Sequence, residues 1–243
     1  MLQVLLGIIK TLLLLDILVI IHEGAHFATS KLCKVKVNEF SIGFGKVLWS
    51  KQGKETKYSL RLIPLGGFVG LEGEEEHSDE EGSFSKAGLL KKIAIISAGA
   101  VTNIIFGIVV YFILILVLYN LETAIHSTSN FIGIFFNSIK MLFTGHATIN
   151  DLAGPIGVAT IVSKTSGITD FIYLLSVISL SLGFTNLLPI PPLDGGKLVI
   201  YIVEGIIRRP LKEEISLRIQ TLGLMFILGL SVFVMYNDVM RIF

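Results

Sequence analysis

The chain has 243 residues, of which 52% are hydrophobic and only 16% are charged, and its formal net charge is +1. Soluble domains carry about a quarter charged residues, so this composition predicts an integral membrane protein, and the near-zero charge gives no indication of a nucleic-acid partner. The single cysteine, Cys33, excludes an internal disulfide and any zinc site built from several thiolates, which leaves His, Asp and Glu as candidate metal ligands.

Four apolar segments are long enough to cross a bilayer, which requires about 20 mostly apolar residues. They comprise residues 2–27, 89–118, 171–188 and 222–236. Lysine and arginine concentrate between the first and second segments and between the third and fourth, which predicts that these connections face the cytoplasm and that both termini lie outside. No signal-peptide cleavage site follows the first apolar run, so we interpret it as a retained helix. The sequence therefore predicts a mainly α-helical, multi-pass membrane protein.

The first span contains the motif His22-Glu23-Gly24-Ala25-His26. Two histidines four residues apart lie on one face of a helix, and together they can bind one Zn²⁺. The glutamate beside them can take a proton from metal-bound water and pass it to a leaving amine. Because the motif also occurs by chance in unrelated helices, the alternative is a helix end whose polar side chains face headgroups and water.

Residues 35–71 of the first cytoplasmic connection alternate in polarity and predict a small membrane-associated β-region. Its apolar segment 61–69 contains Pro64 near the middle, and a proline in a strand pattern favours an edge strand. An edge strand can accept an extended peptide by β-addition. We therefore expect substrate contacts from this segment, at Arg61, Ile63, Leu65, Gly66, Gly67 and Phe68. The alternative is a small sheet that only caps the membrane face.

The outer connection, residues 119–170, contains an amphipathic stretch at residues 131–143. This stretch predicts an interfacial helix on the outer face, and a re-entrant or core segment fits it nearly as well. His126 and His146 also lie in this connection, across the membrane from His22 in the predicted topology, and we do not expect them to be metal ligands.

The third span ends at a proline-rich break. Three prolines within residues 189–192 cannot continue a helix, and irregular backbone at membrane depth survives only inside protein or beside a wet cavity. Asp194 follows this break on the same predicted side as the two histidines, and two His, one carboxylate and a water form a catalytic zinc sphere. The alternative role for Asp194 is the N-cap of the next helix. Asn186 could bind substrate backbone or an oxyanion, or it could satisfy backbone groups freed at the break.

With both motifs, the chain closely resembles the site-2 protease family of intramembrane zinc metalloproteases (peptidase family M50), especially its RseP-like bacterial branch. The family pairs H-E-x-x-H in one transmembrane helix with N-x-x-P-x-P-x-x-D-G in a later one, and residues 22–26 and 186–195 match these patterns throughout. Residues 40–45 and 63–69 resemble the family's membrane-associated β-region, and residues 152–157 resemble its G-P-x-G element.

The resemblance implies that His22, His26 and Asp194 bind zinc and that Glu23 is the base in peptide-bond hydrolysis. It also implies a bacterial inner-membrane protein with its active site near the cytoplasmic side. The implied substrates are single-pass membrane proteins cleaved within their transmembrane segments in regulated intramembrane proteolysis, such as anti-sigma factors, or remnant signal peptides.

Two features depart from the family pattern. Residues 98–103 read A-G-A-V-T-N where the family often has A-G-P-x-x-N, so the proline is absent before Asn103. RseP-like members also carry one or two PDZ domains between the second and third spans. Residues 119–170 are too few for a PDZ domain of about 90 residues. We therefore expect a single metalloprotease domain over residues 1–243 without a PDZ domain.

Two other classes of function fit parts of the sequence. A transporter or channel could use Asp16, His22, Glu23 and Asp194 as an ion path. A non-catalytic membrane scaffold could bind only partner helices, although the intact Glu23 argues against it. Zinc content and a proteolysis assay discriminate these classes from a protease.

Overall fold

The computed structural model describes residues 2–74, 76, 78–146 and 154–242, without the side chains of residues 2–5, 65, 213, 241 and 242. This part of the chain is mainly helical and includes one small sheet. The elements in chain order are α1 (Leu2–Leu32), β1 (Val37–Gln52), β2 (Lys57–Leu71), α2 (Leu89–Leu118), α3 (Leu121–Phe143), α4 (Pro155–Ser163), α5 (Ile168–Asn186), α6 (Asp194–Ile207) and α7 (Glu213–Ile242).

Within the described part of the chain, three helices are long and apolar enough to cross a membrane. These spans are Leu89–Leu118 in α2, Ile168–Asn186 in α5 and Glu214–Met240 in α7. The membrane protein expected from composition is thereby supported, and the second, third and fourth apolar segments are confirmed as helices. The first apolar segment lies in α1, which continues to Leu32. A fourth span and the orientation of the chain stay predictions.

The predicted β-region forms a sheet in which β1 and β2 both bend. Phe40 pairs with Val69 and with Tyr58, and the neighbouring residues of β1 likewise have two partners in β2. The first half of β1 therefore lies between the two halves of β2, which leaves residues 67–71 at an edge of the described sheet. Gly43 permits the bend, since its φ is +84° and a Cβ there would lie 2.6 Å from the Ile63 carbonyl oxygen.

Chain contacts divide the molecule into two units. One comprises Leu12–Ile104 and Ser181–Gly223, and its core joins the sheet to the beginning of α2. That core consists of buried apolar side chains, namely Val35, Val37, Leu71, Phe84, Ile95 and Ile96. Because side chains in such a core are closely packed, this cluster holds the β-region rigidly against α2.

The other unit comprises Met1–Thr11, Ile105–Leu180 and Leu224–Phe243. In it, the G-P-x-G element begins α4 with Pro155 in the first turn, and buried Asp238 of α7 accepts hydrogen bonds from the backbone of Gly154 and Gly157. Leu152 and Ala153 of this predicted element lie outside the described residues.

The amphipathic stretch 131–143 is the second half of α3, a helix that begins earlier than the sequence suggested. The side chain of Asn120 accepts a hydrogen bond from the Thr123 N–H at 2.9 Å and so caps the first turn. The helix thus includes residues 121–130, whose polar composition did not predict regular structure.

Candidate metal centre

Helix α1 brings His22 and His26 together. Their apolar surroundings contain no proline, so the helix runs without interruption through both residues. The two Nε2 atoms lie 3.2 Å apart, and both residues are more than nine-tenths buried. The side-by-side placement expected from four-residue spacing is therefore present.

Asp194 reaches this histidine pair from the first turn of α6. Its Oδ2 lies 3.0 Å from His22 Nε2 and 3.3 Å from His26 Nε2. Ligand atoms about 2.1 Å from a tetrahedral ion are about 3.4 Å from one another, so the three atoms have nearly the spacing that one Zn²⁺ requires. Buried Oδ2 of Asp194 also has no hydrogen-bond partner among the described residues. A buried carboxylate oxygen that lacks a hydrogen-bond partner and faces two ring nitrogens would be satisfied by a bound cation.

The alternative that Asp194 caps α6 is wrong. Leu193 occupies the N-cap position, and no side chain makes the capping hydrogen bond. The chain before it forms a tight turn, in which Leu193 N–H donates to the Ile190 carbonyl at 2.9 Å. Gly196 packs directly on that turn, since a Cβ would lie 2.7 Å from the Ile190 carbonyl carbon. The turn at residues 189–193 and the close packing of Gly196 on it thus place the Asp194 carboxylate next to the two histidines.

Helix α2 contacts both imidazoles from a third direction, with residues spaced at intervals of four. His26 Nδ1 donates to the Ile95 carbonyl at 2.7 Å, which leaves Nε2 of a neutral imidazole free to coordinate. The buried amide of Asn103 lies 3.3 Å from His22 Nδ1. Gly99 lies between them, and a Cβ there would be 2.7 Å from His22 Nε2. The amide of Asn103 can present Oδ1 or Nδ2, so it can accept the Nδ1 proton of a metal-bound His22.

The sequence did not single out Ile95 or Gly99. A backbone carbonyl carries no signature of the side chain that it will meet. Gly99 and Asn103 are a small and a polar residue four apart in a strongly apolar helix, and that contrast is the signal that could have found the contact.

Glu23 shares a cavity of about 210 Å³ with His26 and Asp194. The cavity is also lined by Gly67 and Phe68, at the edge of the sheet, and a Cβ on Gly67 would lie 3.3 Å from Glu23 Cγ. Two of the predicted substrate-binding residues therefore lie beside the predicted base, and the open strand edge leads to the same cavity.

Arg61 has a different position. Its guanidinium donates to Glu39 Oε1 at 2.8 Å and to Ser41 Oγ at 2.9 Å, and it lies 5.0 Å from the centre of the Phe68 ring. Partial burial opposes ionisation of Glu39, but hydrogen bonds from Ser59 and Arg61 hold the pKa of its carboxyl below the ordinary value. Arg61 thus stabilises the sheet behind Phe68 and does not line the cavity.

Three other predicted substrate contacts, Ile63, Gly66 and Asn186, do not line the cavity. Ile63 is about half exposed, and Gly66 has a φ of +96° at the bend of β2. Asn186 is half-buried as the last residue of α5. The Leu65 side chain lies outside the described part of the chain.

An ion pair that the sequence did not suggest completes the cavity. Lys197 Nζ donates to Glu74 Oε1 at 2.7 Å, and the two residues are 123 positions apart in the chain. Burial opposes the charge of Lys197, but the attraction of Glu74 outweighs it and raises the pKa of this ammonium above its ordinary value. Lys197 is therefore charged at neutral pH.

Comparison with known proteins identifies related sequences over most of the chain. The family model described as Peptidase family M50 matches residues 10–230. A Clostridium acetobutylicum protein named "Putative zinc metalloprotease" is 24% identical over 96% of this chain and 97% of its own length. One of the same name from Agrobacterium fabrum is 27% identical, over 96% and 95% of the two chains. Another, from Vibrio cholerae, is 40% identical over 122 residues, which are 48% of this chain and 27% of that protein.

The relatives are longer than this chain within the aligned region. The alignment with the Clostridium protein runs over 329 positions, whereas this chain has 243 residues, so at least 86 positions fall opposite none of its residues.

Proposed function

This chain belongs to peptidase family M50 and is a zinc metalloprotease, and from the geometry of its site we propose that it cleaves transmembrane segments of single-pass membrane proteins. The observation that carries the proposal is the convergence of His22, His26 and Asp194, with Asp194 Oδ2 at 3.0 and 3.3 Å from the two Nε2 atoms. These three residues would hold the ion in a site that excludes most solvent.

Glu23 is the proposed general base. Zinc, when bound, supplies Lewis acidity that polarises the scissile carbonyl and lowers the pKa of a bound water to about 7. The Glu23 carboxylate takes the proton of the attacking water and delivers it to the leaving amine. Ile95 and Asn103 keep the imidazoles oriented, because each contacts the ring nitrogen that faces away from the centre.

The substrate must enter as an extended segment, because helical amides are engaged in i→i−4 hydrogen bonds. Residues 67–71 offer the open edge of the sheet, and β-addition there would align a substrate strand beside Glu23. The apolar helices support a site within or at the edge of the bilayer. Anti-sigma factors and remnant signal peptides are the proposed substrates, and the proposed location is the bacterial inner membrane with the active site near the cytoplasmic side.

We further propose that the chain lacks the PDZ region that RseP-like members of the family carry between the second and third spans. The alignment positions without a counterpart in this chain number at least 86, about the size of one PDZ domain. Substrate selection would then depend on the membrane-embedded site and the strand edge alone.

The direct test compares wild type with Glu23→Gln on a model single-pass substrate in detergent or liposomes. We expect Glu23→Gln to keep its zinc and lose cleavage, because the amide cannot accept the water proton. Glu122→Gln, an exposed carboxylate on α3, is the matched control and should cleave normally. Equal cleavage by wild type and Glu23→Gln would overturn the proposal, and ion flux through liposomes without cleavage would favour a transporter.

A further inference from the structure

The cavity beside Glu23 has a rigid apolar wall. Leu71, Ile95 and Ile96 line it and are 8%, 0% and 4% exposed, because they also belong to the core that joins the sheet to α2. Side chains held in a close-packed core cannot move aside without strain. The shape of this wall is therefore fixed before any ligand arrives.

The polar part of the lining is an ion pair that the proposed chemistry does not use. Lys197 lies one turn after Asp194 on α6, and among the described residues that line the cavity it is the one Lys or Arg. Its partner Glu74 is held by a turn after β2, in which Gly73 has a φ of +76° and Glu74 N–H donates to the Leu71 carbonyl. The side chain of Glu74 is 13% exposed and that of Lys197 is 33% exposed.

We propose that this cavity is the subsite for one substrate side chain beside the scissile bond, and that the Lys197–Glu74 pair makes it select an uncharged, apolar side chain. The inference rests on the proposed function. The 210 Å³ includes the space beside His26 and Asp194 that an ion and a water of about 30 Å³ would take, and the rest still exceeds the apolar cavity of about 150 Å³ that can hold benzene. It accommodates one side chain of the size of leucine, methionine or phenylalanine.

The charges around the cavity explain the selection. A lysine or arginine of the substrate would lie beside the Lys197 ammonium, while the carboxylate that could neutralise it, Glu74, is already paired. An aspartate or glutamate would lose its hydration in the cavity, where Lys197, the one Lys or Arg among the described lining residues, is already paired with Glu74. A charge that is taken out of water without a free partner is costly, so both classes of charged side chain are rejected.

The ion pair makes a prediction that an apolar pocket alone does not. Lys197→Met removes the cation and leaves Glu74 with a free negative charge in the cavity. The variant should then accept a lysine-bearing substrate. Adding Glu74→Gln to Lys197→Met removes that negative charge and should restore the preference for an uncharged side chain.

The experiment uses the full-length protein and one model single-pass substrate. The scissile bond is first located by mass spectrometry, and each flanking residue is then changed in turn to Leu, Lys and Asp. We expect wild type to cleave the Leu substrate with a kcat/KM at least about tenfold above those of the Lys and Asp substrates at one flanking position. Lys197→Met should lower the Leu-to-Lys ratio at that position at least about tenfold, and the double variant should return it.

Lys36→Met is the matched control. It also breaks a lysine–glutamate pair at 2.7 Å, with Glu80, but this pair is exposed and does not line the cavity, so the Leu-to-Lys ratio should stay at the wild-type value. Equal cleavage of all three substrates by wild type, or an unchanged ratio in Lys197→Met, would overturn the inference.

A second readout separates this inference from the proposed function. Binding of the three substrates to the Glu23→Gln protein requires no hydrolysis, and it should show the same order, with the Leu substrate tightest. If Glu23→Gln cleaves the substrate as well as wild type does, the proposed function is wrong. If binding does not depend on the flanking side chain, the subsite assignment fails.

Discussion

Gly99→Ala should remove zinc from the centre. The added Cβ would lie 2.7 Å from Nε2 and Cε1 of His22 and closer still to His26 Nε2, whereas ordinary contacts of a Cβ are 3.4–4 Å. The rings must therefore move by at least about 0.7 Å, and zinc–ligand distances in a working site vary by only about 0.2 Å. Disturbing the contacts that orient metal ligands typically costs about 10–100-fold in metal affinity, and we expect a loss at or beyond this range.

The assay is zinc affinity of the purified protein, measured by competition with a chelator, alongside cleavage. Gly24→Ala is the control on α1, because a Cβ there meets nothing within 4 Å and should leave affinity unchanged. Gly107→Ala is the control on α2, since its Cβ would lie 2.7 Å from the Ser176 carbonyl oxygen and far along the helix from Gly99. It should lower thermal stability without weakening zinc binding. Wild-type affinity in Gly99→Ala, or an equal loss in Gly107→Ala, would refute the reasoning.

Three further changes test other contacts. Asn103→Leu removes the partner of His22 and should weaken zinc binding about 10–100-fold. The absorption spectrum of the Co²⁺-substituted protein should change in Asn103→Leu and recover towards wild type in Asn103→Asp. An unaltered spectrum in the leucine variant would contradict the contact. Asp238→Ala should lower the free energy of unfolding by about 1–3 kcal/mol, because two backbone N–H groups at the beginning of α4 lose their acceptor; an unchanged melting temperature would exclude that role. Because the pKa of Glu39 is lowered, the pairing of Glu39 with Arg61 should stabilise the sheet fully above about pH 4.5. This stabilisation should be lost as the pH falls through the lowered pKa. Thermal unfolding at a series of pH values should show the loss in wild type and not in Glu39→Gln.

The sequence predicted the parts of the site whose geometry is local. The period of a helix predicts that His22 and His26 lie on one face. The proline-rich helix break predicts that Asp194 follows a turn at the end of the third span. The structure brings the candidate ligand atoms of these three residues within 4.8 Å of one another. Each of these predictions used residue types and spacing along one segment.

The contacts that the sequence did not predict join distant segments. The Ile95 carbonyl and Gly99 contact the histidines only because α2 packs against α1 at that height. Lys197 and Glu74 are 123 positions apart in the sequence, and no pattern around either residue predicts that the two form a pair. Hydrophobic periodicity reports which face of an element is buried but not which residues meet across the contact.

The sheet shows a smaller limit of the same kind. Pro64 predicted an edge strand over residues 61–69, but Pro64 lies beside the bend of β2, and the edge next to the cavity lies at residues 67–71. The difference arises at Gly43, whose left-handed conformation lets β1 bend and take both halves of β2 as neighbours. Left-handed glycines in both strands, Gly43 and Gly45 in β1 and Gly66 in β2, thus decided which part of the apolar segment has an unpaired side.

X-ray absorption at the zinc edge of the purified protein tests the central claim most directly. The account predicts one zinc per chain with two imidazole nitrogens and carboxylate or water oxygens at about 2.0–2.2 Å, and loss of the ion in Asp194→Ala. A zinc–sulfur distance of about 2.3 Å, which would implicate Cys33, or full zinc retention in Asp194→Ala would contradict it.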